Sequence, residues 1–416
     1  MITARRVRGY ATVGAICLWA IVALDFSVAG PMDRLGKVKG TDFLHFYVIG
    51  SIARQGRWSE LYDAGAQYER ARAIAPASSE VIFVPVESPQ LALLFAPLSA
   101  WSYTAALMAW LAIGGVLYVM CCWLLWRDAT ALHPYRKAFV AACAAFPGMF
   151  TAVLHGQTAW LSLLCVVAAL AALRRERRFA AGLALGLLVF KPHWALVAGG
   201  LFLCAGEWRI VAGIVASAAA QVALTWAVVG SSLMRTYAGV LITLPRIAAL
   251  LEPKPGDSLR GYFQAVFAST PVSLAAFVAA ALASVWLATR IWRSGGSLDL
   301  RLAAMVIALI LVNPHVNAYD LLLLAPVCAL LGNWIVENGA GVQAATPVES
   351  GVALMPRLAV LLFVAPLLGG LPALVRLQFS VGAMVAILVL TGYLLRRRIW
   401  FWMPWNAGAT SAAVGA

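Results

Sequence analysis

Charge is what this chain has least of. Of its 416 residues only 12% are Asp, Glu, Lys or Arg, and just 17 are acidic. A soluble domain carries about 25% charged residues, so a free-standing water-soluble fold is excluded. Hydrophilic cysteines are missing too. Cys17, Cys121, Cys122, Cys143, Cys165, Cys204 and Cys328 all lie in apolar segments, with no CxxC pair. That excludes a disulfide framework and leaves helix packing as their role. No His, Cys and Asp set has metal-ligand spacing. The net charge of +14 invites a nucleic-acid partner, but no soluble basic domain exists to hold one, and most of the excess is Arg beside apolar runs.

What remains is apolar. Hydrophobic residues make up 63% of the chain, with 16 Trp, and mean hydropathy is +0.87. About 20 such residues cross the ~30 Å hydrocarbon layer. Runs near 10–29, 103–126, 138–154, 157–173, 179–190, 193–206, 209–229, 272–289, 302–314, 319–332, 357–375 and 379–395 predict an all-α polytopic membrane protein with about twelve crossings. Arg5, Arg6 and Arg8 precede the first run like a signal-peptide start. No small-residue cleavage site follows, so a retained helix is expected.

An even number of crossings returns both termini to one side. Arg127, Arg136, Lys137, Arg174, Arg175, Arg177, Arg178, Arg290, Arg293, Arg301 and Arg396 to Arg398 then share that side with the N-terminal arginines. The positive-inside rule makes it the cytoplasm. Runs 179–190 and 193–206 are too short to cross singly, and we read them as two short helices meeting at Lys191-Pro192. Irregular backbone at membrane depth is tolerated where it lines a cavity.

Two long outer loops follow from this topology, 30–102 and 230–271. In the first, Thr41 or Asp42 can cap a helix over 43–55, with Gly56 as its C′ residue. A second helix over 59–75 places Leu61, Ala64, Tyr68, Ala71 and Ala75 on one face, suited to the membrane interface. In the second, Ser231 or Ser232 can cap a helix through Leu244, and Glu252 to Asp257 reads as a lid. We divide the chain into a catalytic unit over 1–332 and a C-terminal pair of spans with a basic tail over 333–416.

The most informative stretch is Gly40-Thr-Asp-Phe-Leu-His-Phe-Tyr47. An ionised residue at the core of a membrane costs roughly 2.5–3.5 kcal/mol on insertion scales. Asp42, at a membrane boundary beside His45 and Tyr47, is therefore a functional candidate; helix capping is the bland alternative. His155-Gly156-Gln157, Lys191-Pro192-His193 and Asn313 through Asp320 bring further polar residues to the same side. Lys191 has no cheap structural role unless it snorkels to the interface. Asp25, at the end of the first span, is a rival to Asp42.

These pieces together resemble glycosyltransferase family 87 of the GT-C superfamily. Asp42-Phe43, Tyr47, Gly56 and Leu61-Tyr62-Asp63 are similar to its first-loop signature. Pro85 through Leu98, His155-Gly156-Gln157, Lys191-Pro192, Ser258-Leu259 with Gly261, and Asn313-Pro314 with Tyr319-Asp320 follow in order. The resemblance covers roughly 10–330. The stretch Phe83 to Pro89 lacks the aromatic-Pro-Pro pattern, and Asp257 stands where an amide often precedes the Ser.

The resemblance implies transfer of a sugar, usually mannose, from polyprenyl-phosphate to a lipid or glycan acceptor outside a bacterial cytoplasmic membrane. No cofactor is implied. The Asp-x-Asp pair with which sugar-nucleotide enzymes hold a divalent ion is missing, which fits a lipid-phosphate donor. Such transfer needs a base for the acceptor hydroxyl and cations for the leaving phosphate. Asp42 is the implied base. Lys191, Arg260 and His315 are candidates for the phosphate, with Arg235 and Arg246 as less favoured alternatives to Arg260. His45, Tyr47, Tyr62, His155, Gln157, Ser258, Tyr319 and Asp320 are expected around the substrates. A transporter or flippase, or an assembly scaffold, are the competing classes.

Overall fold

The computed structural model describes residues 3–76, 84–250, 256–338, 347–368 and 378–396. They form helices throughout: α1 (Ala4–Phe26), α2 (Thr41–Arg54), α3 (Ala64–Ile74), α4 (Pro89–Phe95), α5 (Tyr103–Asp128), α6 (Arg136–Ala144), α7 (Pro147–His155), α8 (Ala159–Arg174) and α9 (Arg178–Gly186). Then come α10 (Pro192–Cys204), α11 (Trp208–Leu250), α12 (Leu259–Val266), α13 (Thr270–Arg293), α14 (Leu298–Val312), α15 (Leu324–Asn338), α16 (Pro347–Leu368) and α17 (Phe379–Leu394). Short 3-10 turns occupy Leu187–Phe190 and Ala318–Leu323.

Among the described residues, seven helical stretches are long and apolar enough to cross a membrane, and four apolar helices are shorter. This is a polytopic membrane protein. Within the described residues, the twelve segments read from the sequence fall mainly on helices, but fewer reach spanning length than expected; 369–375 lie outside the described residues. The break at Lys191 is real: a 3-10 turn ends at Phe190, and α10 restarts with Pro192 as its first residue.

Several local readings need correction. Neither Thr41 nor Asp42 caps α2; Gly40 does, at φ 64° and without a side-chain bond. The helix expected over 59–75 is two pieces. A 3-10 turn at Trp58–Glu60 stops before Asp63, whose carboxylate caps α3 by accepting from Gly65 and Ala66 N–H. Its protein-facing side includes the buried Gln67, whose amide donates to the Leu61 carbonyl at 2.6 Å, while Tyr68 is exposed. The helix expected from Ser231 is present: Gly230 (φ 80°, ψ 168°) is not helical, so α11 is two helices that meet at a kink there. Gly56 does take a left-handed conformation just past α2. The lid reading falls mostly on 251–255, outside the described residues.

Small residues decide how the bundle closes. A Cβ at Gly182 of α9 would lie 2.0 Å from the Ile210 carbonyl oxygen, and one at Gly213 of α11 2.3 Å from that of Phe179. Gly182 and Gly186 are four apart, so both face α11 and the backbones touch, as helix pairs in membranes do when small residues line the contact. Gly182→Leu must force the helices apart, costing about 1–3 kcal/mol or more. We expect a clear drop in the melting temperature of the solubilised protein, and none for Gly200→Leu, where nothing lies within 4 Å of the added Cβ. Equal effects would show that this contact is not limiting.

The two ends of the bundle differ in chemistry. One end is stitched by ion pairs. Arg174 pairs with Asp299, which accepts from Asn333 at 2.7 Å. Arg178 pairs with Glu207 at 2.7 Å, and Trp292 donates to the same carboxylate at 2.9 Å. The opposite ends of α8 and α14 lead to Gln157 and Asn313, and there the remaining polar groups gather.

Candidate active site

The site begins with the turn before α2. Tyr103 donates its hydroxyl to the carbonyls of Lys39 and Gly40, the latter at 3.1 Å. A Cβ on Gly40 would come 2.8 Å from Leu107 Cδ1, so glycine is needed for both its φ and its closeness. Anchored this way, α2 places Asp42 in its first turn, where a carboxylate is favoured by the helix dipole. The side chain makes no capping bond. It is left to act on something else.

Its partner is Gln157, whose Nε2 donates to Asp42 Oδ2 at 2.6 Å. Gln157 is buried, and its Oε1 accepts the Thr158 N–H at 2.9 Å, which fixes which way the amide points. The approach depends on Gly156, the left-handed cap of α7 (φ 62°). A Cβ there would sit 2.5 Å from Phe43 Cβ. The Gly156 carbonyl accepts from Trp110 Nε1 at 2.9 Å. The His-Gly-Gln sequence is thus a device for bringing an amide against Asp42.

The broken helix supplies the second half. Lys191 Nζ pairs with Asp320 Oδ1 at 3.0 Å and lies 5.3 Å from the centre of the Tyr319 ring. Asp320 is almost fully buried, and its other oxygen accepts the Asn317 N–H at 3.1 Å in a capping box. Asn317 also donates to the Tyr319 hydroxyl at 2.6 Å. His155 is tilted against Tyr319 at 5.7 Å. Asp42 is close enough to Tyr319 to be one of its electrostatic neighbours, so the two halves meet at this ring.

The 256–261 segment closes the third side. Asp257 N–H donates to the Val316 carbonyl at 3.0 Å, and Ser380 of α17 donates to the Asp257 carboxylate at 2.5 Å. This docks the start of α12 on the 313–317 loop and makes Arg260 an electrostatic neighbour of His315. The His315 ring reaches solvent, yet burial by the surrounding protein lowers its pKa; Asp320 opposes this, and Lys191 and Arg260 add to it. His193, on the first turn of α10, faces it at 6.2 Å. Arg235 is exposed on α11, and the Arg246 side chain lies outside the described residues. Asp25 lies at the end of α1, with Asp33 and Lys39 as its electrostatic neighbours.

Other expected residues make contacts within the protein. His45 is buried on α2 against Gln67, and burial lowers its pKa to about 4. Tyr47 donates to the Trp101 carbonyl at 2.7 Å. Ser258 is buried as the cap of α12. Tyr62 stacks on Tyr237 and donates to the Glu87 carbonyl at 3.2 Å.

That last bond points to a residue the sequence reading passed over. Glu87 has Lys191, Asp42 and Asp320 as its charged neighbours, and burial raises its pKa to about 7, with Lys191 opposing and the two aspartates adding. In the sequence it is a lone acid inside a Pro-bounded apolar stretch, and its charged neighbours come from distant segments.

Carboxylates facing a lysine and an arginine at one end of a membrane bundle suit group transfer involving an anionic substrate. Residues 87–314, more than half the chain, match the model of glycosyltransferase family 87. The chain belongs to that family and is a membrane glycosyltransferase. No curated protein and no solved structure matches it. The matched region is shorter than the sequence resemblance suggested. It includes Gln157, Lys191 and Arg260 but neither Asp42 nor Asp320, so the roles of those two rest on geometry.

Proposed function

We propose that the protein transfers mannose from polyprenyl-phosphate-mannose to a lipid or glycan acceptor at the outer face of a bacterial cytoplasmic membrane, through a GT-C-type site. The observation that carries this reading is the grip of Gln157 on Asp42 beside the Lys191 and Asp320 pair. One carboxylate is held in a defined orientation without being consumed as a cap, and one ammonium keeps donors to spare.

In this scheme Asp42 takes the proton of the acceptor hydroxyl. The acceptor oxygen attacks the anomeric carbon as the bond to the phosphate oxygen breaks, so the configuration inverts. Gln157 holds Asp42 and leaves its second oxygen for the incoming alcohol. Lys191, with Arg260 and His315, receives the phosphate. Lys carries three donors and Asp320 uses one. Tyr319 and His155 form the wall between the halves.

The test is transfer itself. The purified protein, in lipid nanodiscs, is given polyprenyl-phosphate carrying labelled mannose and a membrane lipid extract. Label should pass into a new glycolipid. Label that only moves across proteoliposomes, with the donor intact, would instead establish a carrier.

A further inference from the structure

The proposed sugar transfer gives Asp42 and Lys191 their tasks, with Asp320 paired to Lys191, but leaves Glu87 idle. Its position is nevertheless fixed from both sides. Tyr62 donates to the Glu87 carbonyl, and Ser88 donates to the carbonyl of Phe190 at 3.0 Å, one residue before Lys191. Pro89 then starts α4. The backbone is thereby held next to the Lys191 turn, and the carboxyl is an electrostatic neighbour of Lys191 that forms no ion pair and takes no hydrogen bond among the described residues. The residue is partly exposed, so its carboxyl is open to a ligand.

The charge balance says which form that acid takes. A polyprenyl-phosphate donor is a phosphodiester with one negative charge. Asp42 and Asp320 already face it, against Lys191 and Arg260. A third ionised carboxylate would repel the donor, whereas a neutral carboxyl removes that repulsion and offers an O–H. We propose that Glu87, in its protonated form, is a binding residue of the donor, giving its O–H to a phosphate oxygen. This rests on the reading that the donor phosphate sits at Lys191.

The bond strengthens during transfer. As the anomeric carbon–oxygen bond breaks, the electron pair stays on the phosphate oxygen and the phosphate passes from one negative charge to two. The acceptor proton goes to Asp42, and the Glu87 proton stays on Glu87. A hydrogen bond that tightens where charge develops lowers the barrier. The surroundings favour this protonation state, since burial lifts the pKa to about 7 with only Lys191 pulling it down. The other groups around it, Tyr62, Tyr237 and Tyr319, all have Glu87 as an electrostatic neighbour and are phenols that stay neutral in this range.

The sign is then fixed: donor binding and transfer should weaken as pH rises through the Glu87 pKa. The measurement compares wild type, Glu87→Gln and Glu87→Ala from about pH 6 to about pH 8.5, by transfer kinetics and by thermal-shift titration with polyprenyl monophosphate. The lipid phosphate titrates in the same range, and Gln sees the same titration, so the difference between wild type and Gln isolates Glu87. Gln keeps an N–H donor. It should stay within several-fold of wild type at low pH and lack the part of the alkaline fall that belongs to Glu87. Ala should raise the donor KM by about tenfold or more, the loss expected for one hydrogen bond to a charged group. An inactive Gln variant, an alkaline fall identical in wild type and Gln, or an Ala variant with wild-type donor KM would each overturn the proposal. If wild type binds the lipid phosphate equally at all pH values once the ligand's own titration is removed, this proposal alone fails. If it binds none, the donor reading fails with it.

Discussion

Asp42→Asn should lower sugar transfer by a factor of about 10²–10⁴, the usual contribution of a positioned general base. The substitution keeps shape and volume. The Asn oxygen can still accept from Gln157 Nε2, now at 2.6 Å from Asp42, so the fold and the approach of the 155–157 turn should survive. What is lost is the capacity to take a proton. Melting temperature and binding of polyprenyl monophosphate should therefore stay near wild type while kcat collapses. That combination separates a base from a cap, because Asn caps a helix as well as Asp does. The structure already weakens the capping alternative, since the Asp42 side chain makes no capping bond. Transfer surviving within a few-fold would end the assignment. Loss of rate together with a large drop in melting temperature would assign Asp42 to structure.

Much of this architecture was legible in the residue pattern, for a simple reason. Apolar runs near spanning length and the Lys191-Pro192 interruption are one-dimensional signals, and both reappear as helices and a helix break. The local signals that failed were those settled by tertiary contact. Thr41 and Asp42 are good cap residues, but Tyr103 holds the preceding carbonyls and Leu107 leaves no room for a side chain, so Gly40 takes that position. Asp63 ends one helical turn and begins another, which a stripe of apolar residues cannot reveal. The site was readable as a list but not as a geometry. Gln157, expected near substrate, donates to Asp42. Lys191, expected to meet the phosphate, is paired with Asp320. Tyr62, expected near substrate, donates to the backbone of Glu87. Glu87 itself was hidden because its neighbours come from three distant stretches, at 42, 191 and 320.

Lys191→Met is the second substitution with a large expected effect, and it must be read beside Asp320→Asn. Lys191 and Asp320 are both poorly exposed, at 12% and 3% of their side-chain surface. Removing one partner of a buried pair leaves an uncompensated charge and costs about 3–5 kcal/mol. Lys191→Met alone should thus lose both stability and transfer, and by itself would not distinguish a clamp from a strut. Adding Asp320→Asn removes the stranded charge while leaving an oxygen to accept the Asn317 N–H, which the native carboxylate does at 3.1 Å. The double variant should recover most of the melting temperature. It should not recover binding of polyprenyl monophosphate, because the ammonium that meets the phosphate is still gone. Stability restored without lipid-phosphate binding is the signature of a residue that the fold holds for its ligand. Stability and transfer restored together would make Lys191 a structural partner of Asp320 and move the phosphate to Arg260 and His315.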